Sequence, residues 1–182
     1  MIHYILFTGH MIDAKDRSEP RFPPEKEVAV KEAIKKILIT ERENNSGGVK
    51  GIAGGASGGD ILFHELCSEL QIPSEMFLAI GKEPYKEASV SFAGETWAVR
   101  FDHLTKTLPV STLPGSADDD QNIWVRTNLW MLEESLKNGG VHMTLIALWN
   151  GKGGDGEGGT EHLVSEGKEK GAKTIIVDIN KL

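Results

Sequence analysis

The chain contains very little cysteine: Cys67 is the single one among 182 residues. One cysteine excludes an intramolecular disulfide and is typical of a reducing compartment, so we expect a cytoplasmic protein. Cys67 lies in an apolar helical stretch, where cysteines are usually plain core residues. Long apolar runs are lacking too. None approaches the ~20 residues needed to cross a bilayer, and we expect no membrane association.

Basic clusters are also absent from the sequence. The formal net charge is −7, and lysine and arginine are nowhere dense. Because a duplex nucleic-acid binder normally needs a basic footprint, this composition argues against that class. A small anionic ligand stays open, since backbone amides and one or two arginines can hold a phosphate. There is no Cys/His cluster and no H-E-x-x-H spacing, so we expect no metal and no required cofactor.

Short apolar runs alternate with helical patterns along the whole chain. The runs predict strands at 3–8, 49–53, 76–80, 144–149 and 174–178. Helical spacing of apolar residues predicts helices after Pro24, after Asp60, in two pieces across 83–108, at 120–137 and at 160–170. For 109–119 the pattern predicts an irregular acidic loop. This alternation predicts an α/β fold: one Rossmann-like domain, 1–182, with a doubly wound, mostly parallel sheet and helices on both faces.

Glycine is the residue in excess, with 21 copies concentrated at 47–59 and 151–159. The first cluster follows a predicted strand and opens a helix, where free N–H groups can hold a phosphate. It is neither a Walker loop nor the strict G-x-G-x-x-G fingerprint. We predict ligand contacts at Gly54, Gly55, Ser57, Gly58, Gly59 and Asp60. The alternative is a tight strand-to-helix turn in which Asp60 caps the helix.

The second glycine cluster follows the most apolar strand, at 144–149. Thr160 would cap the next helix and offer its hydroxyl to a phosphate oxygen. We predict contacts at Gly154, Gly158, Gly159, Thr160 and Glu161. A flexible surface loop is the alternative, although such glycine-rich loops inside compact domains are often functional. Two such turns on one sheet edge favour a nucleotide site between them.

Four further kinds of side chain are candidates. Arg21, after the first strand, is predicted to contact a phosphate or ribose, with a solvated surface charge as the alternative. His10 faces the same edge, as a ligand contact or a hydrogen-bonded loop residue. Arg126 and Asn122 lie one helical turn apart, and could reach a ligand or partner or form a simple polar face. Tryptophan could stack a base, although packing is the default for Trp97, Trp124, Trp130 and Trp149.

Several segments match a known pattern: Thr8-Gly9-His10, Arg21-Phe22-Pro23, Gly54-Gly55-Ala56-Ser57-Gly58-Gly59-Asp60 and Gly154-Asp155-Gly156-Glu157-Gly158-Gly159-Thr160. Together they resemble a SLOG-like Rossmannoid domain, the superfamily of the Lonely Guy phosphoribohydrolases and the DNA-processing protein A fold. The resemblance spans residues 4–178. It implies binding of a nucleotide or nucleotide-derived signal (ADP-ribose-like, cyclic or dinucleotide) in bacterial stress or anti-phage signalling. It also places Thr8 and Gly9 among the ligand contacts.

The resemblance leaves two functions open. The hydrolase branch carries Pro-Gly-Gly-x-Gly-Thr-x-x-Glu, with a catalytic glutamate at the end. Here Leu163 stands at the position of that glutamate, and no proline opens the motif. This departure favours a binding module, a sensor or sequestering protein that works with an effector protein or as a homo-oligomer. The alternative is a nucleotide hydrolase, N-glycosidic or phosphodiester-cleaving, in which Glu161 or Asp60 acts on water.

Overall fold

The computed structural model describes residues 1–115, 122–152 and 160–182. These residues form one six-stranded sheet in the order β4-β3-β2-β1-β5-β6, and every neighbouring pair is parallel. The strands are β1 His3–Gly9, β2 Val49–Ala53, β3 Ser74–Leu78, β4 Val110–Thr112, β5 Met143–Trp149 and β6 Lys173–Asp178. The predicted α/β fold is confirmed.

Helices cover both faces of the sheet. Within the described ranges they are α1 Glu27–Asn44, α2 Gly59–Glu69, α3 Lys82–Ser89, α4 Glu95–Thr107, α5 Ile123–Ser135 and α6 Thr160–Glu169. Side chains of α1 to α4 form one buried cluster with Ile5 and Phe7, whereas α5 and α6 form the other with Leu6. Successive β1 side chains therefore enter opposite layers, as the pleat of a strand requires. The sheet is doubly wound.

The strand order reverses beside β1. From β1 the chain passes to β2, β3 and β4 on one side, whereas β5 and β6 lie on the other side. Leu6 pairs with Ile52 of β2 and with Leu145 of β5, so the three strands are in register. Crossover helices leave a crevice at the carboxyl ends of strands where the order reverses. The fold therefore locates its crevice next to Gly9.

The region 109–119 was predicted as an irregular loop, and that prediction is wrong for Val110–Thr112. These three residues form the edge strand β4, paired with Met76 to Leu78. Their side chains are exposed or only partly buried, so they show no apolar alternation. The strand is defined by contacts with β3, including the hydrogen bond from Leu113 N to Leu78 O at 2.8 Å. Pairing of this kind has no local sequence signal.

The prediction for the helix at 120–137 needs correction as well. Helix α5 begins at Ile123, after Asn122, whose Oδ1 accepts a hydrogen bond from Trp124 N at 2.9 Å. Its buried residues are Thr127, Met131, Leu132 and Ser135, whereas the sequence pattern predicts Val125, Leu129, Leu132 and Leu136 on the inner side. Leu132 is buried as predicted, whereas the face that carries Thr127 and Met131 borders the cavity as well as the core.

Candidate functional site

A cavity of about 500 Å³ opens at the carboxyl ends of β1, β2 and β3, bordered by α3, α5 and the start of α6. Pockets of ~300–1,000 Å³ are the usual size for small-molecule sites. Seven residues predicted to contact a ligand line this cavity: Thr8, Gly9, His10, Arg21, Gly54, Asp60 and Thr160. The structure thus brings together residues from the loop after β1, the first glycine cluster and the start of α6.

His10 connects the ends of β1 and β5 at the cavity. Its Nε2 lies 3.1 Å from Asn150 Oδ1 and 3.3 Å from Asn150 N, and its backbone N donates to Leu148 O at 3.1 Å. The side chain is buried, and burial lowers the pKa of the imidazole below its ordinary value. His10 is therefore neutral near pH 7. Its hydrogen bonds connect the ends of β1 and β5, and the residue also lines the cavity.

Arg21 is held at the cavity by the loop after β1. The carboxylate of Asp13 accepts hydrogen bonds from the backbone N of Arg21 at 2.8 Å and of Phe22 at 2.9 Å. Phe22 is fully buried, and it anchors the loop to the core. Arg21 also borders a smaller cavity of about 360 Å³ beside Arg17. Among the described residues that line the larger cavity, Arg21 supplies the Lys or Arg side chain.

The first glycine cluster uses its amides within the protein. Gly55 N donates to Tyr85 Oη at 3.1 Å, and Ala56 N donates to Asp60 Oδ2 at 3.2 Å. Ser57 N and Gly59 N donate to backbone carbonyls, at 3.0 Å and 3.3 Å. These four N–H groups therefore have protein acceptors in this conformation. A phosphate cradle at 55–59 would require them to change partners.

Packing explains several of the glycines in this cluster. Gly58 has a φ of +100°, and a Cβ there would lie 2.5 Å from Ile12 N. A Cβ at Gly55 would lie 2.8 Å from Met76 Sδ. These two residues, and Ser57 and Gly59, do not line the cavity. Close approach of the β1 loop and the core is thus sufficient to demand glycine here, as in other tight backbone contacts.

Asp60 contributes a carboxyl group to the cavity wall. It lies in the first turn of α2 but is not the N-cap, which is Gly58, so the capping alternative is wrong. Burial raises the pKa of the Asp60 carboxyl from 3.8 to about 7, although the hydrogen bond from Ala56 N favours the ionised form. A Cβ at Gly54 would lie 2.6 Å from Asp60 Oδ2, so this glycine makes room for the carboxylate.

His64 lies in the core next to the first glycine cluster and fixes the position of Gly54. Its Nε2 lies 3.0 Å from Gly54 O, and its Nδ1 lies 3.0 Å from Ser74 Oγ. Burial lowers the pKa of His64 to about 4, so the ring is neutral and Nε2–H donates to the carbonyl while Nδ1 accepts from the hydroxyl. His64 is fully buried and serves as an internal support for Gly54.

The second glycine cluster lies mostly outside the described residues, and Gly154, Gly158 and Gly159 belong to that part. Thr160 is the first residue of α6 and lines the cavity. Glu161 is exposed and is not in the lining, so the structure does not bring it to the cavity. Arg126 is likewise outside the lining, with its guanidinium close to Gly115.

Only part of the cavity wall that α3 and α5 form was predicted from the sequence. Asn122 was a candidate contact, and Trp124 was a candidate for base stacking. The other lining residues of these two helices were not predicted as ligand contacts: Tyr85, Ser89, Thr127, Asn128 and Met131. On α5, the positions 124, 127, 128 and 131 follow the spacing of one helix face. Because this face mixes polar, aromatic and apolar residues, it does not resemble a core stripe. The sequence signal for this wall was therefore a helix face on which polar, aromatic and apolar residues are mixed.

Comparisons of the chain with protein-family models, with curated proteins and with solved structures found no match. The resemblance to SLOG domains therefore stays a prediction. No helix among the described residues has the length and apolar character to cross a membrane. In the same part of the chain, no group of three or more His, Cys, Asp or Glu side chains is arranged to hold a metal ion.

Proposed function

We propose that this protein binds a nucleotide or a nucleotide-derived signal in the cavity at the carboxyl ends of β1 to β3. The observation that carries the proposal is the position of this cavity, about 500 Å³ in volume, beside the point where the strand order reverses. Open parallel sheets bind ligands at that point, and dinucleotides and flavin nucleotides are among those bound there. The volume suits a mononucleotide or a somewhat larger relative.

The anionic part of the ligand belongs at the β1 side of the cavity. Arg21 supplies a cationic group in the lining, and Thr160 supplies a hydroxyl at the first residue of α6. The start of a helix carries unpaired N–H groups and a partial positive charge. The amides of Gly55, Ala56 and Ser57 have protein acceptors. A phosphate is therefore held by Arg21 and the start of α6.

The role we propose for binding is that of a cytoplasmic sensor or sequestering module. It rests on the SLOG-like segments, and it fits a cavity that is partly enclosed by two helices. A sensor must transmit its state, so an effector protein or a second copy of this chain is the expected partner. Bacterial stress or anti-phage signalling is the setting that the resemblance favours, with an ADP-ribose-like, cyclic or dinucleotide ligand.

A second candidate function is nucleotide hydrolysis in the same cavity. The observation in its favour is Asp60, whose pKa of about 7 suits a group that exchanges a proton near neutral pH. In an N-glycosidic or phosphodiester hydrolysis, the ionised carboxylate would take a proton from the attacking water. Glu161, the other predicted catalytic residue, is exposed outside the cavity lining, so Asp60 is the residue to test.

The deciding experiment incubates the purified protein with a mixed pool of ADP-ribose derivatives, dinucleotides, cyclic nucleotides and nucleoside monophosphates. Mass spectrometry then identifies the species retained on the protein and any new product in solution. A retained, unaltered species supports the binding module and names its ligand. A product in excess over protein, lost in Asp60→Asn, supports the hydrolase. No retained species and no product would contradict the proposed site.

A further inference from the structure

One wall of the cavity is aromatic. The ring of Tyr85 on α3 stacks on Phe101 of α4, with centroids 6.0 Å apart and an interplanar angle of 10°. The ring of Trp124 on α5 also lies next to Tyr85, with centroids 5.7 Å apart and an interplanar angle of 55°. Tyr85 and Trp124 line the cavity, and Phe101 is fully buried behind them. The wall is therefore a supported aromatic surface and not one mobile side chain.

Trp124 differs from Trp97 and Trp130 in what covers it. Trp97 is 6% exposed and has the guanidinium of Arg100 3.9 Å above its ring. Trp130 packs edge-on against Phe77 at 4.5 Å. Trp124 is 38% exposed, although it borders a cavity and its neighbour Tyr85 is buried. Exposed indole surface at a cavity wall is typical of a place where a ligand ring packs.

Local structure fixes this indole at the cavity. Asn122 caps α5 by accepting the hydrogen bond from Trp124 N at 2.9 Å, so the helix begins immediately before the tryptophan. Asn128 lies one turn later on the same face and also lines the cavity. An amide side chain both donates and accepts hydrogen bonds, which suits the edge of a nucleobase. A stacking surface and an amide thus stand side by side on α5.

Different elements supply the aromatic and the anion-binding groups of the cavity. Trp124 and Tyr85 come from α5 and α3, whereas Arg21 follows β1 and Thr160 begins α6. The strands that end at the cavity extend from β1 to β3, two strand spacings or roughly 10 Å. One lining therefore offers both an aromatic surface and groups for an anion.

We propose that Trp124, supported by Tyr85, is the stacking surface for the base of the ligand, with Asn128 at the edge of that base. The ligand class is then base-bearing nucleotides and not sugar phosphates. This inference rests on the proposed function and deepens it, since a nucleotide site held only by its phosphate would accept both classes. Stacking of one base on an aromatic side chain changes affinity by roughly 5- to 150-fold.

The test compares AMP with ribose 5-phosphate, which share the sugar and phosphate and differ in the base. Isothermal titration measures both ligands, and ADP-ribose, on the wild type, Trp124→Ala and Trp124→Phe. We expect AMP to bind at least tenfold more tightly than ribose 5-phosphate. Trp124→Ala should lose that advantage, whereas Trp124→Phe should keep most of it. The affinity for ribose 5-phosphate should be the same in all three proteins.

The matched control is Phe92→Ala, which removes a ring that is 44% exposed outside the cavity lining. It should leave the affinity for AMP unchanged, and circular dichroism should show each variant folded. Equal affinities of the wild type for AMP and ribose 5-phosphate would overturn this inference and leave a sugar-phosphate site in place. If neither AMP nor ADP-ribose binds, the inference falls, and the pooled-ligand experiment decides separately whether the proposed function falls too.

Discussion

Each end of the sheet contains a carboxylate that is shielded from water, and the two carboxylates have different partners. At the amino ends of the strands, Glu41 of α1 is 2% exposed. Its Oε1 accepts from Lys173 Nζ at 2.6 Å, and its Oε2 accepts from Thr144 Oγ1 at 2.7 Å. At the carboxyl ends, Asp60 accepts a hydrogen bond from Ala56 N at 3.2 Å, and it faces the cavity.

The difference shows how partners decide the role of a buried acid. Glu41 has a cation and a hydroxyl, and the imidazole of His3 lies 3.7 Å from its Oε2. Such a set of partners offsets the loss of water and makes the group part of the scaffold. At Asp60, burial raises the pKa of the carboxyl to about 7. An acid left in that state beside a cavity is typical of a binding or catalytic site.

The largest effect should come from removing Glu41, which interacts with Lys173, Thr144 and His3. Glu41→Ala leaves Thr144 and His3 without their acidic partner and opens a space in the core, so we expect a loss of about 4 kcal/mol in the free energy of unfolding. Urea denaturation measures it. Glu43→Ala, on an exposed position of the same helix, is the matched control and should change stability by about 0.5 kcal/mol or less. Equal losses of unfolding free energy in the two variants would contradict a structural role for Glu41.

The next effect tests whether packing or a ligand demands the glycines at the cavity end. Gly58→Ala should cost about 3 kcal/mol, because φ is +100° and the new Cβ would lie 2.5 Å from Ile12 N. Gly94→Ala is the control: φ is +102° there, but no atom of the described residues lies within 4 Å of the added Cβ. It should cost about 1 kcal/mol in the same urea measurement. Equal costs would mean that contact with Ile12 does not explain Gly58.

The third effect is a pH dependence at Asp60. The folded state keeps a proton that the unfolded state loses above about pH 4, so the stability of the wild type falls as pH rises toward and through 7. Asp60→Asn removes this dependence. Water in the cavity reaches the carboxyl, which moderates the effect. Between pH 5 and pH 8, the free energy of unfolding of Asp60→Asn should rise by about 2 kcal/mol relative to that of the wild type.

Asp102 provides the control for the sign of this effect. Its hydrogen bond with Lys86 lowers the pKa of the Asp102 carboxyl, so its contribution to stability is present above the unfolded pKa and is lost as pH falls. Asp102→Asn should therefore lose stability relative to the wild type as pH rises to about 4, the direction opposite to Asp60→Asn, and should leave the profile between pH 5 and pH 8 unchanged. Parallel pH profiles of the wild type and Asp60→Asn would contradict the raised pKa of Asp60.

The smallest effect concerns the ligand. Thr160→Ala removes a hydroxyl from the cavity lining, and a hydrogen bond to a charged group contributes about 1.5 kcal/mol or more. We expect the affinity for AMP to fall about tenfold by titration calorimetry, with Thr160→Ser close to the wild type. Glu161→Gln, outside the lining, should bind as the wild type does. A loss in Glu161→Gln as large as in Thr160→Ala would place the ligand elsewhere.

The fold could be predicted wherever a strand is buried on both faces. The residues of β5, Met143–Trp149, are buried up to the last one, and its apolar run stands out in the sequence. β4 has three residues with exposed or partly buried side chains. It is a strand because its backbone pairs with β3, and pairing between distant segments has no period along the chain.

The site could be predicted only in part, for a different reason. Thr8, Gly9 and Gly54 follow strands, and the topology of a parallel sheet brings such positions to one edge. Trp124 and Tyr85 come from helices. The mixed face of α5 was the local signal for Trp124, whereas the helical pattern around Tyr85 does not distinguish a ring at a cavity from a ring in the core. Gly55, Gly58 and Gly59 were predicted to contact a ligand, but they do not line the cavity. A Cβ added at these positions would lie close to Met76, Ile12 and Phe7.

The sequence by itself determined the alternation of strands and helices and therefore the sheet edge where the cavity forms, because burial imposes a period on apolar residues. The tertiary structure decided which side chains meet at that edge, since α3 and α5 reach it from separate parts of the chain. It also decided that Asp60 holds a proton near neutral pH while Glu41 has a cationic partner. Both outcomes depend on which neighbours replace water around a carboxylate, and folding alone supplies those neighbours.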